Sequence, residues 1–123
     1  MLVTNCPSVQ SGLYDGFKTS LLIGESNSGS KEISIQITEV EPQKMQFIHS
    51  HDEEQCYYIV CGRGLMFINS EKRDVGNGDA IFIPSNASHG VKNIGPEKLV
   101  YLTANRAFGL EKERSIWPLA SGK

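Results

Sequence analysis

Residues 78–93 read Gly78-Asp-Ala-Ile-Phe-Ile-Pro84-Ser-Asn86-Ala-Ser-His89-Gly-Val-Lys-Asn93. The apolar run before Pro84 has the length and the β-branched and aromatic composition of a short strand. Proline ends such a strand because it has no N–H to donate to the ladder. His89 follows five residues later, in a separate segment. This order predicts a hairpin-rich β-structure that can bring His89 beside a distant part of the chain.

The other two histidines lie upstream, in His49-Ser-His51-Asp-Glu-Glu-Gln55, which runs on to Gly62. Residues two apart on a strand point to the same face, so His49 and His51 share one face and Gln55 has the same parity. With His89 they make a three- or four-ligand metal site with open positions, which is typical of catalytic sites. The alternative is a polar outer face, but the chain has three histidines and all of them fall in these two stretches.

Strand patterns dominate the rest of the chain. Residues 32–38 alternate apolar and polar side chains, the period of a half-buried strand. Similar runs separated by glycine- and asparagine-rich turns occur at 18–23, 44–48, 56–60, 65–68, 80–83 and 99–103. Short strands at such spacing favour an all-β sandwich or barrel.

One domain is expected from the length of 123 residues. We predict an irregular N-terminal segment over 1–16, a β-barrel over 17–105 and a C-terminal tail over 106–123. The first dozen residues are either disordered or paired with a neighbouring subunit. The tail has a helical turn around Glu111–Arg114, and Trp117 is expected to cap the barrel or pack on a partner subunit rather than touch a substrate.

Composition excludes several classes of function. The net charge is −2 and no basic block occurs, so nucleic acid is not an expected partner. No apolar run approaches the ~20 residues of a membrane-spanning helix. The start lacks a basic region followed by an apolar stretch, so no signal peptide is expected. Three cysteines without a secretion signal indicate reduced thiols and a cytoplasmic location.

The two histidine-containing stretches resemble the two sequence motifs of the cupin family. The family's first motif is Gly, five residues, His-x-His, three or four residues, Glu, six residues, Gly. His49, His51 and Gly62 match it. Gln55 stands in the place of the glutamate, and Gln43 in the place of the leading glycine.

The second motif of the family is Gly, five residues, Pro-x-Gly, two residues, His, three residues, Asn. Gly78, Pro84, His89 and Asn93 match it. Asn86 replaces the middle glycine, a mild change because asparagine tolerates positive φ better than other side chains. The resemblance implies a single-domain jelly roll, or double-stranded β-helix. It also implies a homodimer and one divalent transition metal ion held by His49, His51, Gln55 and His89.

The position of the fourth metal ligand is where the chain departs from the family's first motif. Gln55 fits the family spacing, whereas Glu54 would need a shorter spacing and would face the other way. Asp52, Glu53 and Glu54 then form an acidic rim, interpreted as solvated turn residues. A neutral amide leaves the ion's charge undiminished. The donor set suits Mn, Fe, Co, Ni, Cu or Zn. Gln in this place is similar to manganese cupins that act as hydroxynitrile lyases.

Strand parity outlines the pocket. If Gln55 points inward, so should Tyr57, Ile59 and Cys61, and the same argument from His49 and His89 extends the set to Met45, Phe47, Val91 and Asn93. This predicts an apolar, partly aromatic pocket. Tyr57 is the candidate catalytic residue, as a proton donor or a group that orients the substrate; an ordinary core aromatic is the other interpretation.

Three functions are compatible with these residues. The first is a metal-dependent enzyme acting on a small oxygen-rich or carbonyl-bearing molecule, as a dioxygenase, decarboxylase, isomerase or lyase. The second is a non-catalytic module that binds metal and a small molecule. The third is a metal-free barrel whose histidines fill a polar cavity. Fold alone does not choose among them.

Overall fold

The structure, a computed structural model, describes residues 1–6, 9 and 11–117. This part of the chain contains ten strands and two short helices. The strands are β1 (Ser11–Tyr14), β2 (Phe17–Ile23), β3 (Ser34–Val40), β4 (Met45–His49), β5 (Gln55–Cys61), β6 (Arg63–Ile68), β7 (Glu71–Gly76), β8 (Ala80–Ile83), β9 (His89–Asn93) and β10 (Leu99–Asn105). The helices are α1 (Glu25–Ser28) and α2 (Leu110–Ile116). Neither helix is long and apolar enough to cross a membrane.

Two antiparallel sheets hold these strands. The larger has the order β1-β2-β3-β10-β5-β8, and the smaller has the order β4-β9-β6-β7. Many neighbours in the sheets are distant in sequence, such as β3 beside β10 and β4 beside β9. This crossed connectivity is that of a jelly roll, so the expected all-β architecture is confirmed.

The two ends of the chain differ in detail from the sequence prediction. Residues 11–14 were expected to be irregular, but they form β1, which pairs with β2 of the same chain. Gly16 has a φ of 87° and lets the chain reverse between the two strands. At the other end the expected helical turn is confirmed as α2, and Trp117 follows it. Residues 118–123 of the expected tail lie outside the described residues.

Two positions where the chain lacks a family glycine adopt the left-handed conformation that favours glycine. Asn86 has a φ of 64°, as the tolerance of asparagine predicts. Gln43 has a φ of 66°, and its N–H donates to the carbonyl of Asn93 at 3.2 Å. Gln43 and Asn86 therefore both adopt a conformation that has a steric cost for residues with a Cβ.

The apolar core lies between the sheets, where Val40, Ile59, Val91 and Leu99 are fully buried. Tyr57 and Ile59 face inward as parity predicts, but Cys61 is exposed. A bulge explains the error: β10 pairs Tyr101 with Ile59 and Val100 with Cys61, so the alternation breaks between them.

Asn93 closes one end of this core. It is fully buried, and its Nδ2 donates to the carbonyls of Val40 at 2.9 Å and Glu97 at 2.7 Å. Its Oδ1 accepts from the N–H of Gly95 at 2.9 Å. The last residue of the second motif therefore ties β9 to the turn before β10 and to the end of β3.

Replacing Gln43 by glycine tests the strain at the first motif. We expect Gln43→Gly to raise the free energy of unfolding by about 0.5–1 kcal/mol, because glycine adopts positive φ without a Cβ clash. Urea unfolding followed by circular dichroism measures the change. Gln43→Ala is the matched control, since alanine removes the amide and keeps the Cβ. Equal stability of the two variants would contradict the prediction.

Candidate metal centre

Three histidines converge at one end of the sandwich. His49 ends β4 and His89 begins β9, and the two are direct partners across the ladder. His51 follows in the loop before β5. One ring nitrogen from each histidine lies within 4.8 Å of those of the other two. The structure therefore brings together all three histidines that the motifs single out.

The same local hydrogen bond orients each imidazole. Nδ1 lies 3.0 Å from the Phe47 carbonyl in His49, and 2.9 Å from the Ala87 carbonyl in His89. In His51, Nδ1 lies 3.0 Å from the carbonyl of Glu53. A carbonyl only accepts, so Nδ1 carries the proton in each ring. The lone pair is then on Nε2, the arrangement that metal-ligating histidines use.

The free ligand atoms fit a metal ion. Nε2 of His51, Nε2 of His89 and Oε1 of Gln55 are buried and have no hydrogen-bond partner among the described residues. A buried polar atom without a partner costs about 1–3 kcal/mol, so three of them together need a common explanation. A divalent ion that accepts all these lone pairs removes that cost. Nitrogen and amide oxygen donors suit a first-row transition metal.

Gln55 and Glu54 occupy different environments. Gln55 begins β5 and is buried, pairing with Asn105 on one side and Ile83 on the other. Glu54 is exposed and is not part of the histidine cluster. Gln55 is therefore the one of the two candidate fourth ligands whose oxygen lies in the interior.

One acidic residue of the rim is not a solvated turn residue, contrary to the sequence interpretation. The Glu53 side chain is largely buried, and its carboxylate accepts from Nζ of Lys112 at 2.9 and 3.1 Å. Its Oε1 also lies 3.6 Å from Nδ1 of His51. Because Lys112 is on α2, this ion pair ties the C-terminal helix to the loop that carries His51. The sequence holds no signal for it, because the two residues lie 59 positions apart.

Burial keeps His49 and His89 neutral. Desolvation lowers the pKa of His89 to about 4, although the hydrogen bond to the Ala87 carbonyl opposes the shift. Desolvation also lowers the pKa of His49, and the neighbouring His51 adds to the effect. Near neutral pH both rings therefore hold a free lone pair on Nε2, which is the form that binds a metal.

A cavity of about 280 Å³ opens next to the histidines. Aromatic residues form much of its wall, as predicted: Tyr14, Phe17, Phe47, Tyr57, Tyr101, Phe108 and Trp117. Phe47 is half-exposed, yet its ring packs edge-on against His49 with centroids 5.5 Å apart. Trp117 is 2% exposed, packs against Phe108 and lines the cavity. The expectation that it caps the barrel rather than touches a substrate stays a prediction.

Sequence reasoning missed a set of polar residues in the same wall. The alternation in 32–38 predicts a half-buried strand, and β3 is one, but Ser34, Gln36 and Thr38 face inward and the isoleucines between them do not. Thr38 donates to the hydroxyl of Thr19 at 3.1 Å. The signal was the alternation itself, which fixes two faces but not which of them is buried.

Tyr57 lies in the cavity wall and also belongs to the core. Its ring stacks on that of Tyr101 with centroids 4.4 Å apart, and its centroid is 6.3 Å from that of His89. Burial raises the pKa of Tyr57 well above its usual value, and a hydrogen bond with Tyr101 offsets part of the shift. Its hydroxyl therefore stays protonated at neutral pH.

Comparison with known proteins identifies similar chains. The family model described as "Cupin domain" matches residues 36–105. An uncharacterized protein of Methanocaldococcus jannaschii is 37% identical over 84 residues, which are 68% of this chain and 56% of that protein. The match thus spans a little over half of the length of this curated relative.

Two solved structures illustrate the fold. A predicted oxalate decarboxylase from Thermotoga maritima superimposes with a TM-score of 0.75 at 20% identity, covering 87% of this chain and all of that one. Oxalate decarboxylase from Bacillus subtilis, described with Mn(II) centres, gives a TM-score of 0.73 at 26% identity. That match covers 82% of this chain and 28% of the larger enzyme.

Metal content tests the proposed ligands. We expect purified protein to retain about one equivalent of a divalent metal and His51→Ala to lose it, because two nitrogens and an amide bind far more weakly than the full set. Gln55→Ala should weaken metal affinity by about tenfold or more. Glu54→Ala, its exposed neighbour, is the matched control and should leave affinity unchanged. Inductively coupled plasma mass spectrometry and the metal-dependent rise in melting temperature measure the outcome. Loss of metal in Glu54→Ala but not in Gln55→Ala would reverse the assignment.

Proposed function

Since this chain belongs to the cupin domain family, we propose that it is a metal-dependent enzyme acting on a small oxygen-rich or carbonyl-bearing compound. The observation that carries the proposal is the set of buried, unpartnered ligand atoms beside a cavity of about 280 Å³. A cavity of this size accommodates a compact substrate.

His49, His51, His89 and Gln55 would hold the ion. All four donors are neutral, so none of them cancels the charge that the substrate meets. When bound, a divalent ion supplies Lewis acidity to a carbonyl or carboxylate oxygen of the substrate. Mn, Fe, Co, Ni, Cu and Zn all suit the donor set, and the Mn(II) centres of the Bacillus subtilis oxalate decarboxylase make manganese the first metal to test.

The cavity wall favours lyase or decarboxylase chemistry. No carboxylate lines the cavity among the described residues, so a reaction that begins by removing a proton from carbon lacks a protein base there. Release of carbon dioxide from a carbon next to a carbonyl needs no such base, because the carbonyl takes up the electron pair of the broken C–C bond. The carbon left behind then needs a proton donor. Tyr57 is the candidate donor because it lines the cavity with its ring centroid 6.3 Å from that of His89, and its raised pKa makes it a weak acid that must act by position. The missing carboxylate base also favours the second candidate, a non-catalytic module that binds metal and a small ligand.

Turnover assays separate the two candidates. The metal-loaded protein is incubated with small 2-oxo acids, oxalate and 2-hydroxynitriles, and products are followed by proton NMR and carbon dioxide release. We expect metal-dependent cleavage of at least one compound without oxygen uptake, and its loss in His51→Ala. Oxygen consumption would indicate a dioxygenase instead. Binding of these compounds without turnover would favour the non-catalytic module.

Replacing Tyr57 by phenylalanine tests the proton donor. We expect kcat for the cleaved compound to fall about a hundredfold, with metal content unchanged, because the ring remains and only the O–H is lost. Tyr58→Phe is the matched control, since Tyr58 is the next residue of β5 and faces outward. Wild-type kcat in Tyr57→Phe would assign Tyr57 to the core alone.

We also propose that the chain forms a homodimer through the outer face of the larger sheet. The inverted alternation of β3 leaves Ile35 and Ile37 on that face. On β5 and β8 the same face carries Tyr58, Val60 and Phe82, each about half-exposed. Because the strands β3, β10, β5 and β8 are neighbours in this order, these side chains form one apolar surface. An uncharged apolar patch is complementary to itself, which is what a two-fold symmetric interface requires.

A charge on this surface should separate the subunits. We expect the wild-type protein to elute as a dimer in size-exclusion chromatography with light scattering, and Phe82→Lys to elute as a monomer. Burying an unpaired lysine in an apolar interface costs more than such a contact contributes. Glu71→Lys, an exposed change on β7 of the smaller sheet, is the control. A wild-type monomer at micromolar concentration, or a dimer that Phe82→Lys leaves intact, would refute this interface.

A further inference from the structure

The segment from Phe108 to Trp117, here called the roof, covers the cavity. Phe108, Lys112, Ile116 and Trp117 all line it, and the ring of Phe108 packs edge-on against His51 with centroids 6.1 Å apart. The proposed metal site and the roof therefore face the same small volume.

Three contacts hold the roof in place. The hydroxyl of Tyr14 donates to the carbonyl of Ile116 at 2.8 Å. The carboxylate of Glu113, only 3% exposed, accepts from the backbone N–H groups of Glu25 at 2.7 Å and Ser26 at 3.1 Å. The ion pair between Lys112 and Glu53 is the third. These contacts come from separate parts of the chain, so the roof has a defined position over the cavity.

Trp117 carries a polar atom that this packing does not use. Its indole Nε1 is buried and has no hydrogen-bond partner among the described residues. The indole N–H is a donor only, and a buried tryptophan usually finds an acceptor. Because Trp117 lines the cavity, an acceptor oxygen of a ligand bound there is the candidate partner for this N–H.

The charge of the cavity wall indicates which acceptor this is. Apart from the histidines and tyrosines, Lys112 is the one ionisable side chain that lines the cavity in the described part of the chain. Its Nζ has three donors, and its two contacts with Glu53 go to a carboxylate outside the cavity lining. A ligand with a negative group thus meets the indole N–H and the ammonium group of a lysine that is already paired with Glu53, and no carboxylate lines the wall in the described part of the chain.

We propose that the roof recognises a carboxylate of the substrate, with the Trp117 N–H donating to one of its oxygens and the N–H of Lys112 that Glu53 leaves free donating to the other. This assignment rests on the proposed function for the identity of the site and adds the substrate class, a small carboxylic acid. The carboxylate lies under the roof, and the reacting carbonyl or second carboxylate points toward the histidines.

Ligand binding to the zinc-loaded and the metal-free protein tests the assignment. The probes are oxalate, pyruvate and benzoate, each paired with its neutral amide, and the readouts are titration calorimetry and the emission of Trp117, the single tryptophan of the chain. We expect at least one carboxylate to bind more tightly than its amide and to shift the emission. Trp117→Phe, which keeps an aromatic ring and loses the N–H, should weaken that carboxylate by about tenfold to a hundredfold and its amide less.

A second variant keeps the test decisive if Trp117→Phe does not fold. Lys112→Met keeps an unbranched side chain over Phe108 and removes the charge, so it should abolish the preference for carboxylate over amide. Lys72→Met, an exposed change on β7, is its control and should leave the preference intact. Equal affinity of carboxylates and amides in the wild-type protein, or a preference that survives in both Trp117→Phe and Lys112→Met, would overturn the proposal.

The metal-free arm separates this proposal from the proposed function. If the protein fails to retain metal but binds a carboxylate in a way that depends on Trp117, the roof assignment stands and the metal-dependent enzyme does not. If metal binds and turnover occurs, but Trp117→Phe and Lys112→Met leave affinity and KM unchanged, the proposed function stands and the roof assignment is wrong.

Discussion

The hydrogen bond from each imidazole Nδ1 to a backbone carbonyl is the constraint on which the site depends. It fixes the tautomer and helps to set the direction of His49, His51 and His89. The carbonyl lies two residues before the ring in His49 and His89 and two residues after it in His51, so local backbone geometry sets the orientation. The ladder between β4 and β9 then places His49 opposite His89. Once the rings are held this way, their lone pairs meet in one place, and burial keeps His49 and His89 neutral.

Polar side chains on the larger sheet occupy interior positions beside this site. Gln36, Thr38 and Thr103 face the interior, which leaves less room for apolar packing at this end of the sandwich. The buried apolar cluster extends from Ile59 and Leu99 to the cavity, where Tyr57 and Tyr101 belong to both. Because the polar residues of β3 face inward, its isoleucines face outward, and the same inversion produces both a polar cavity and the apolar outer surface. One alternating strand thus links the chemistry of the cavity to the proposed contact between subunits.

The C-terminal helix completes the cavity from outside the sheets. Its lysine pairs with Glu53 beside His51, and its glutamate Glu113 accepts two N–H groups from the first turn of α1. Ion pairs at a partly buried position are screened less by salt than exposed pairs. The roof and the histidine loop are therefore coupled, so that a change at Lys112 reaches the neighbourhood of the proposed ligands without touching them.

The sequence by itself determined the all-β fold, the three histidines as one group and Gln55 as the candidate beside them. Those inferences depend on local spacing and strand period, which can be read from the sequence without knowledge of the tertiary structure. It also predicted that Asn86 tolerates positive φ. Tertiary structure decided the rest: which face of β3 is buried, the exposure of Cys61 beyond a bulge, the strand at 11–14, and the pairing of Glu53 with Lys112. Each of these depends on contacts between residues far apart in the chain or on an interruption of the strand period. Such contacts leave no local pattern to read, because a face, a bulge or an ion pair exists only once its partner strand or helix is in place.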